Sequence, residues 1–143
     1  MAEALFNLLN LLPLPVWVGM LLFPKTHYTQ RLVTSYWYFT ALCGVYLLFL
    51  LVSLFTSAGG GFSLSFDALR SGLSSEWTFL AAWAHFITFD LFVGVWLFRD
   101  AKYWGINPGL FLLGTLFAGP VGLGSYLLVR QRRSKTDPVR VIN

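Results

Sequence analysis

The chain has 143 residues, of which 57% are hydrophobic and 18% aromatic, while only 11% are charged. A soluble domain of this length has too little interior to bury so much apolar surface, so the composition predicts a membrane protein. The net charge is +4, and five of the basic residues follow residue 129, directly after an apolar stretch. Bases in that position favour contact with anionic lipid headgroups over nucleic-acid binding.

Four apolar segments predict an all-α polytopic protein, a small bundle of about four transmembrane helices forming one membrane domain. Each segment is long enough to cross about 30 Å of hydrocarbon. The predicted helices cover residues 5–23, 34–55, 77–98 and 109–129, and a basic tail covers residues 130–143. Prolines 13 and 15 predict a bend in the first helix, where neighbouring groups have to satisfy the freed backbone carbonyls.

The longest connection joins the second and third predicted helices. Its glycine triplet, residues 59–61, predicts an irregular segment. Residues 66–73 predict a short amphipathic element that lies along the membrane interface. Ser74 or Ser75 is expected to cap the third helix, with Glu76 in its first turn.

Small residues recur at a helical spacing in the fourth predicted helix. Gly114, Ala118 and Gly122 repeat every four residues, which predicts one face along which another helix can pack closely. Pro120 predicts a bend in the same helix.

Charge distribution gives an expectation for orientation and location. Four spans place both termini on one side, and the basic residues near the membrane favour the cytoplasm for that side. The chain begins within a few residues of the first helix, so we expect a bacterial inner membrane or a thylakoid membrane and no plastid-import segment.

The third predicted helix contains two ionisable residues, His85 and Asp90. Such groups inside a span are costly unless they are paired, protonated or hydrated, so they are functional candidates. Five residues of helix separate them by about 140°, so they line one cavity only if partners surround the helix. The predicted ligand-binding residues around them are Trp83, Phe86, Phe89, Gly94 and Trp96.

Both ionisable residues also have a structural interpretation. Asp90 can serve helix packing through a hydrogen bond to Asn7 or Asn10 of the first helix. His85 can hydrogen-bond a neighbouring backbone carbonyl. The sequence has two histidines and no nucleotide-binding motif, so we predict neither a metal site nor a cofactor.

Three segments resemble the ABA-deficient-four-like membrane proteins, namely residues 11–17, 85–96 and 118–126. Plant members of that family are required for making neoxanthin from violaxanthin, so the resemblance implies a connection with carotenoids. Family members often carry Arg immediately after the glycine of the third helix, where this chain has Val95. From this departure we expect Asp90 or Asp100 to lack a basic partner.

The leading hypothesis is a cofactor-free xanthophyll isomerase, with Asp90 as the acid and His85 as the base and a carotenoid as substrate. The alternative is a non-catalytic pigment-binding or assembly subunit of a photosynthetic membrane complex. Four helices are too few to enclose a ligand that spans the bilayer, so either hypothesis predicts a homo-oligomer or a larger complex. A transporter is disfavoured because the chain shows no duplicated halves.

Overall fold

The structure is a computed structural model that describes residues 1–56 and 65–136. Every regular element within these ranges is an α-helix, which confirms the predicted all-α class. The helices are α1 (Ala2–Leu11), α2 (Leu14–Leu22), α3 (His27–Thr34), α4 (Tyr36–Thr56), α5 (Phe66–Leu73), α6 (Glu76–Trp104), α7 (Gly109–Ala118) and α8 (Pro120–Thr136). The glycine triplet and the end of the basic tail, including Arg140, lie outside the described residues.

Three stretches of the described chain are long and apolar enough to cross a membrane, namely Ala2–Leu22, Tyr36–Thr56 and Glu76–Trp104. They correspond to the first three predicted helices, although α6 continues beyond the predicted end at residue 98. The prediction of one helix over residues 109–129 is wrong. That segment forms α7 and α8, and the 10 residues of α7 are too few to cross the hydrocarbon.

The two helices of this segment pack side by side and run antiparallel. A Cβ placed on Gly122 would lie 2.1 Å from the backbone nitrogen of Thr115, and one on Gly114 would lie 3.0 Å from the Gly122 Cα. Farther from the turn, the ring centroids of Phe111 and Tyr126 are 5.5 Å apart. A straight helix would separate residues 114 and 122 by about 12 Å, so the chain must reverse between them.

Gly119 makes the reversal. Its backbone has φ 22° and ψ −88°, a conformation that side-chain-bearing residues rarely adopt. Pro120 then begins α8 at a position where its missing N–H costs no helical hydrogen bond. The Gly-Pro pair therefore breaks the segment completely, where the sequence analysis expected only a bend.

The small-residue stripe is divided by this break. Gly114 and Ala118 belong to α7 and Gly122 belongs to α8, so the prediction of one continuous face is wrong. The small residues do allow close helix approach, but the two helices that meet are the two arms of the hairpin.

The described chain forms two compact units, each with its own interior. The first comprises Met1–Leu14 and Ser35–Phe89, and the second comprises Pro15–Thr34 and Asp90–Asn143. In the first unit the buried core residues are Leu9, Phe49, Leu80, Ala81 and Ala84.

A tyrosine hydroxyl donates a hydrogen bond to a backbone carbonyl just after the end of α1, before the two prolines. The Tyr38 hydroxyl donates a hydrogen bond to the Leu12 carbonyl, as the predicted bend requires. Elsewhere in the first unit, Ser53 of α4 and Thr78 of α6 are joined by a hydroxyl–hydroxyl hydrogen bond of 2.6 Å. These bonds tie α4 to both neighbours within the unit.

The short amphipathic element is present as α5, with the predicted boundaries. The Ser65 side chain caps it by accepting a hydrogen bond of 3.3 Å from the Ala68 backbone N–H. None of its residues is buried, which agrees with a helix that lies at an interface. The next helix, α6, begins at Glu76, directly after Ser75.

The predicted orientation depends on the number of crossings. If the three long stretches cross and the α7–α8 hairpin returns to the side it entered, the termini lie on opposite sides. The prediction that both termini lie on the cytoplasmic side requires four crossings of the membrane. The position of the termini stays a prediction.

Gly122→Ala tests the hairpin, with Gly124→Ala on the same helix as the control. The added methyl group at residue 122 meets backbone atoms that cannot rotate away, whereas nothing lies within 4 Å of the control position. We expect Gly122→Ala to destabilise the protein by roughly 1–3 kcal/mol and the control to be neutral or slightly stabilising. Thermal denaturation in detergent followed by size-exclusion chromatography measures both, and equal melting temperatures would contradict the hairpin.

Candidate functional site

Asp90 is the middle residue of α6, a helix of 29 residues that extends roughly 43 Å. Its half-buried carboxylate lies against the hairpin turn, since a Cβ on Gly119 would be 2.7 Å from Oδ1. Among the described residues, none forms a hydrogen bond or a salt bridge with this carboxylate. A free carboxyl group therefore meets a chain reversal halfway along a membrane-spanning helix.

The hairpin turn contains both kinds of backbone polar group. The first N–H groups of a helix and its last carbonyl groups lack intrahelical partners. At the turn, α8 begins and α7 ends, and the Leu123 N–H already bonds the Gly119 carbonyl at 3.3 Å. The partial positive charge of the α8 N-terminus favours a carboxylate, while the carbonyls ending α7 can accept from a carboxylic acid. The turn beside Asp90 thus contains the end of one helix and the start of another.

A second acidic residue of α6, Asp100, holds the other end of the hairpin. Arg130 Nε donates to Asp100 Oδ2 at 2.6 Å and Nη2 to Oδ1 at 3.4 Å, and the Tyr126 hydroxyl also donates to Oδ2. The Arg130 guanidinium lies 5.2 Å from the ring centre of Trp104. Asp100 therefore has a basic partner, Arg130. The sequence predicted that either Asp90 or Asp100 would lack a basic partner, and in the described chain it is Asp90 that lacks one.

The two contacts define how α8 lies along α6. From Asp90 to Asp100 the rise along α6 is about 15 Å, and from Gly119 to Arg130 the rise along α8 is about 16 Å. Because the lengths match, α8 runs beside the C-terminal half of α6 in the same direction. The Asp100 cluster thereby fixes the position of the turn next to Asp90.

His85 has different surroundings, all within the first unit. Its imidazole is exposed and lies among aromatic rings, with centroid distances of 4.6 Å to Phe89, 5.6 Å to Tyr46 and 6.0 Å to Phe86. No backbone carbonyl of the described residues accepts a hydrogen bond from it. The contacts of Asp90 lie in the second unit, so a cavity lined by both residues stays a prediction.

The predicted packing residue Asn10 bonds Trp83. The Trp83 Nε1–H donates to Asn10 Oδ1 at 3.0 Å, and Asn10 Nδ2 donates to the Phe6 carbonyl at 2.9 Å. The Trp83 ring is also 5.3 Å from Phe6 and 6.3 Å from Phe79. The Asn10 side chain is thus engaged in the first unit, and Asn7 is exposed.

The remaining predicted ligand-binding residues divide into exposed rings and a covered glycine. Phe86 and Phe89 are 60% and 57% exposed. A Cβ on Gly94 would lie 2.5 Å from the buried Trp17 ring, so protein fills the space beside this glycine. Trp96 is partly exposed and packs edge-on against Tyr126 at 6.0 Å.

Sequence reasoning missed Gly119 and the pairing of Asp100 with Arg130. The Gly-Pro dipeptide is a turn signal that could have located the break. The ion pair carried no such signal, because thirty residues and an unrecognised reversal separate its members. In the described part of the chain, no group of three metal-ligating side chains occurs.

Comparison with protein families finds a match for most of the chain. The model described as ABA DEFICIENT 4-like matches residues 4–126, which include α2 to α7, most of α1 and the beginning of α8 up to Tyr126. Comparisons with curated proteins and with solved structures find no match. The matched range ends at Tyr126, one of the two residues that bind Asp100.

Asp100→Ala tests the anchor of the hairpin, with Asp67→Ala on α5 as the control. The first change leaves the Arg130 guanidinium and the Tyr126 hydroxyl without their acceptor, whereas the side chain of residue 67 is exposed. We expect a destabilisation of about 2 kcal/mol, since a partly buried charged hydrogen bond is lost. Thermal denaturation in detergent measures it, and a melting temperature equal to that of the control would show that the cluster is not an anchor.

Proposed function

Because this chain belongs to the ABA DEFICIENT 4-like family, we propose that it is a carotenoid-related membrane protein that isomerises an epoxy-carotenoid. The observation that carries the proposal is the Asp90 carboxyl group, which lies at the hairpin turn in the middle of α6. Non-helical backbone at membrane depth is tolerated where it lines a cavity or is buried in protein, and ionisable groups there serve function by default.

The reaction is an intramolecular rearrangement of an epoxide to an allenic alcohol. A proton is added to the epoxide oxygen as its carbon–oxygen bond breaks, and a proton is removed from the adjacent polyene carbon. The proton gained and the proton lost balance, so the reaction needs no oxidant or reductant. It needs an acid, a base and an apolar environment in which the polyene dissolves.

Asp90 has the properties of the acid. Apolar surroundings favour the uncharged form of a carboxyl group, which can donate its proton. The carboxylate left behind is stabilised by the N-terminus of α8 at the turn. Since Asp100 already binds Arg130 and Tyr126, Asp90 is the one of the two acidic residues described in the second unit that remains available for chemistry.

His85 is the base in this proposal, because an uncharged imidazole accepts a proton in the pH range of the cell. Its place among the rings of Tyr46, Phe86 and Phe89 suits contact with a flat, apolar polyene. The wide angle between His85 and Asp90 on α6 requires that the substrate reach around the helix, or that a second copy complete the site.

A specific observation favours a second candidate, a non-catalytic pigment-binding or assembly subunit. An imidazole exposed on an apolar helix face is costly in lipid, so a bound pigment or a partner helix would stabilise it. Such a subunit would co-purify with its partner or pigment at a fixed ratio, which an enzyme need not do.

Pigment chromatography of a violaxanthin-accumulating host tests the catalytic proposal. Expression of the wild-type chain should produce a new neoxanthin peak. Asp90→Asn should lower its formation about 100-fold or more, since the amide cannot donate the proton, and His85→Ala should do the same.

Asp67→Asn, an exposed acidic position on α5, is the matched control and should retain full activity. Equal amounts of each variant in the membrane show that folding is not the cause of a loss. Absence of any conversion by the wild type would favour the subunit. Full activity in both Asp90→Asn and His85→Ala would refute the assignment of acid and base.

A further inference from the structure

The lysine and arginine residues of the described chain are divided unequally between the two ends of α6. One of the nine, Arg70 on α5, lies near the start of α6, and the other eight belong to the second unit. Of these eight, two lie in or beside α3, two in the last two turns of α6 and four in the last two turns of α8. The next question is whether these three elements meet.

Contacts within the second unit bring all three elements to the C-terminal end of α6. Lys102 Nζ of α6 donates to Gln30 Oε1 of α3 at 3.4 Å, and Gln30 Nε2 donates to the Pro24 carbonyl at 2.9 Å. On α8, Arg130 forms its salt bridge with Asp100 of α6. The eight bases therefore form one surface, called here the basic face, and Asp100 is the one described acidic residue at this end of α6.

The hairpin is what brings the bases of α8 to this end. It begins with α7 just after the end of α6, turns beside Asp90 and returns to Asp100. The distance from Asp90 to Asp100 along α6 is about 15 Å, half of a hydrocarbon thickness of about 30 Å. The turn at Gly119 is buried, as irregular backbone at that depth must be. The hairpin thus has the dimensions of a re-entrant segment that enters and leaves on one side.

The start of α6 has the opposite charge. Glu76 begins the helix, and Glu3 of α1 lies with it on a groove of about 460 Å³ in the first unit. The wall of this groove includes the rings of Phe6 and Phe79, which stack with centroids 6.1 Å apart. Asp67 on α5 is a third acidic residue there. This end therefore has three acidic side chains and the single arginine of α5.

This asymmetry depends on the hairpin. A straight fourth helix would place the bases of α8 across the membrane from those of α3 and α6, so that neither side would dominate. The re-entrant segment places all eight on one side. Lysine and arginine residues close to spans remain in the cytoplasm, and acidic residues contribute little to that choice. Eight bases against one therefore determine an orientation that four straight crossings would leave nearly balanced.

The basic face also has the composition of a lipid-binding surface. The cytoplasmic leaflet carries anionic lipids, and each base near it contributes about fivefold to the affinity. Tyr28 and Tyr103 of the second unit are 61% and 52% exposed at the same end of α6. Such amphipathic rings favour the headgroup level, so charge and aromatic residues indicate the same depth.

We propose that the basic face binds the anionic phospholipid headgroups of the cytoplasmic leaflet. The start of α1 then lies outside the cytoplasm and the end of α8 inside it. The α7–α8 hairpin enters the membrane from the cytoplasmic side to about half its depth. This orientation is the same for an isomerase and for a pigment-binding subunit, because it depends on charge and helix placement alone.

Single-cysteine labelling in a bacterial host tests the orientation. Cys43→Ala removes the native thiol, and one cysteine is then introduced by Asp67→Cys, Asn107→Cys or Gln131→Cys, all at exposed positions. A membrane-impermeant maleimide should label residue 67 in intact cells. It should label residues 107 and 131 only after permeabilisation. Labelling in detergent provides the reference for full reactivity.

Each alternative topology gives a different labelling pattern. Four crossings would place residues 107 and 131 on opposite sides of the membrane. An inverted chain would label residues 107 and 131 in intact cells and protect residue 67. Either pattern would overturn the proposal.

Lipid titration tests the binding surface. Phosphatidylglycerol or phosphatidylcholine is added to the purified protein in detergent, and native mass spectrometry gives the two dissociation constants. The wild type should bind phosphatidylglycerol at least about fivefold more tightly. Lys25→Gln/Arg31→Gln should weaken phosphatidylglycerol about tenfold or more and leave phosphatidylcholine unchanged. Both side chains are exposed, so the substitutions leave the interior intact.

Arg31→Gln and Arg70→Gln form a matched pair, since each removes one exposed arginine from a helix of eight residues. The first should weaken phosphatidylglycerol about fivefold, whereas the second should have no effect, because its end of α6 is acidic. Equal losses in the two variants, or equal affinity of the wild type for both lipids, would refute the lipid-binding face.

Discussion

The carboxyl group of Asp90 in the middle of α6 is the constraint on which the second unit depends. An acidic side chain at that depth requires polar surroundings, and helices with complete backbone hydrogen bonding offer none. The reversal at Gly119 supplies them by placing two helix ends beside the carboxyl group. Only glycine permits both the backbone conformation and the close approach of the Asp90 oxygen. The break between α7 and α8 therefore places the chain reversal beside the Asp90 carboxyl group.

Two other interactions keep the turn in place. Gly114 and Gly122 allow the hairpin arms to touch, and the Asp100 carboxylate binds Arg130 and Tyr126 at the far end of α8. The turn is thus held at one end by packing and at the other by charge-assisted hydrogen bonds. The position of the turn beside Asp90 therefore depends on contacts at both ends of α8.

The first unit has its own aromatic surfaces. Its groove combines an aromatic wall with the exposed carboxylates of Glu3 and Glu76 at the rim, and the exposed His85 lies among aromatic rings. Under the proposed function such rings would contact the polyene, since a flat apolar ligand packs well against aromatic side chains.

The sequence by itself determined three helices that are long and apolar enough to cross a membrane, the all-α class, the helical element at residues 66–73 and the presence of an acidic residue, Asp90, inside one long apolar helix. These follow from local hydropathy and from the cost of an ionisable group in hydrocarbon, which neighbouring residues alone decide. Tertiary structure decided that residues 109–129 form a hairpin, that Gly119 faces Asp90 and that Arg130 pairs with Asp100. Hydropathy is the same for a straight helix and for a folded one, so the choice depended on contacts between residues that are distant along the chain.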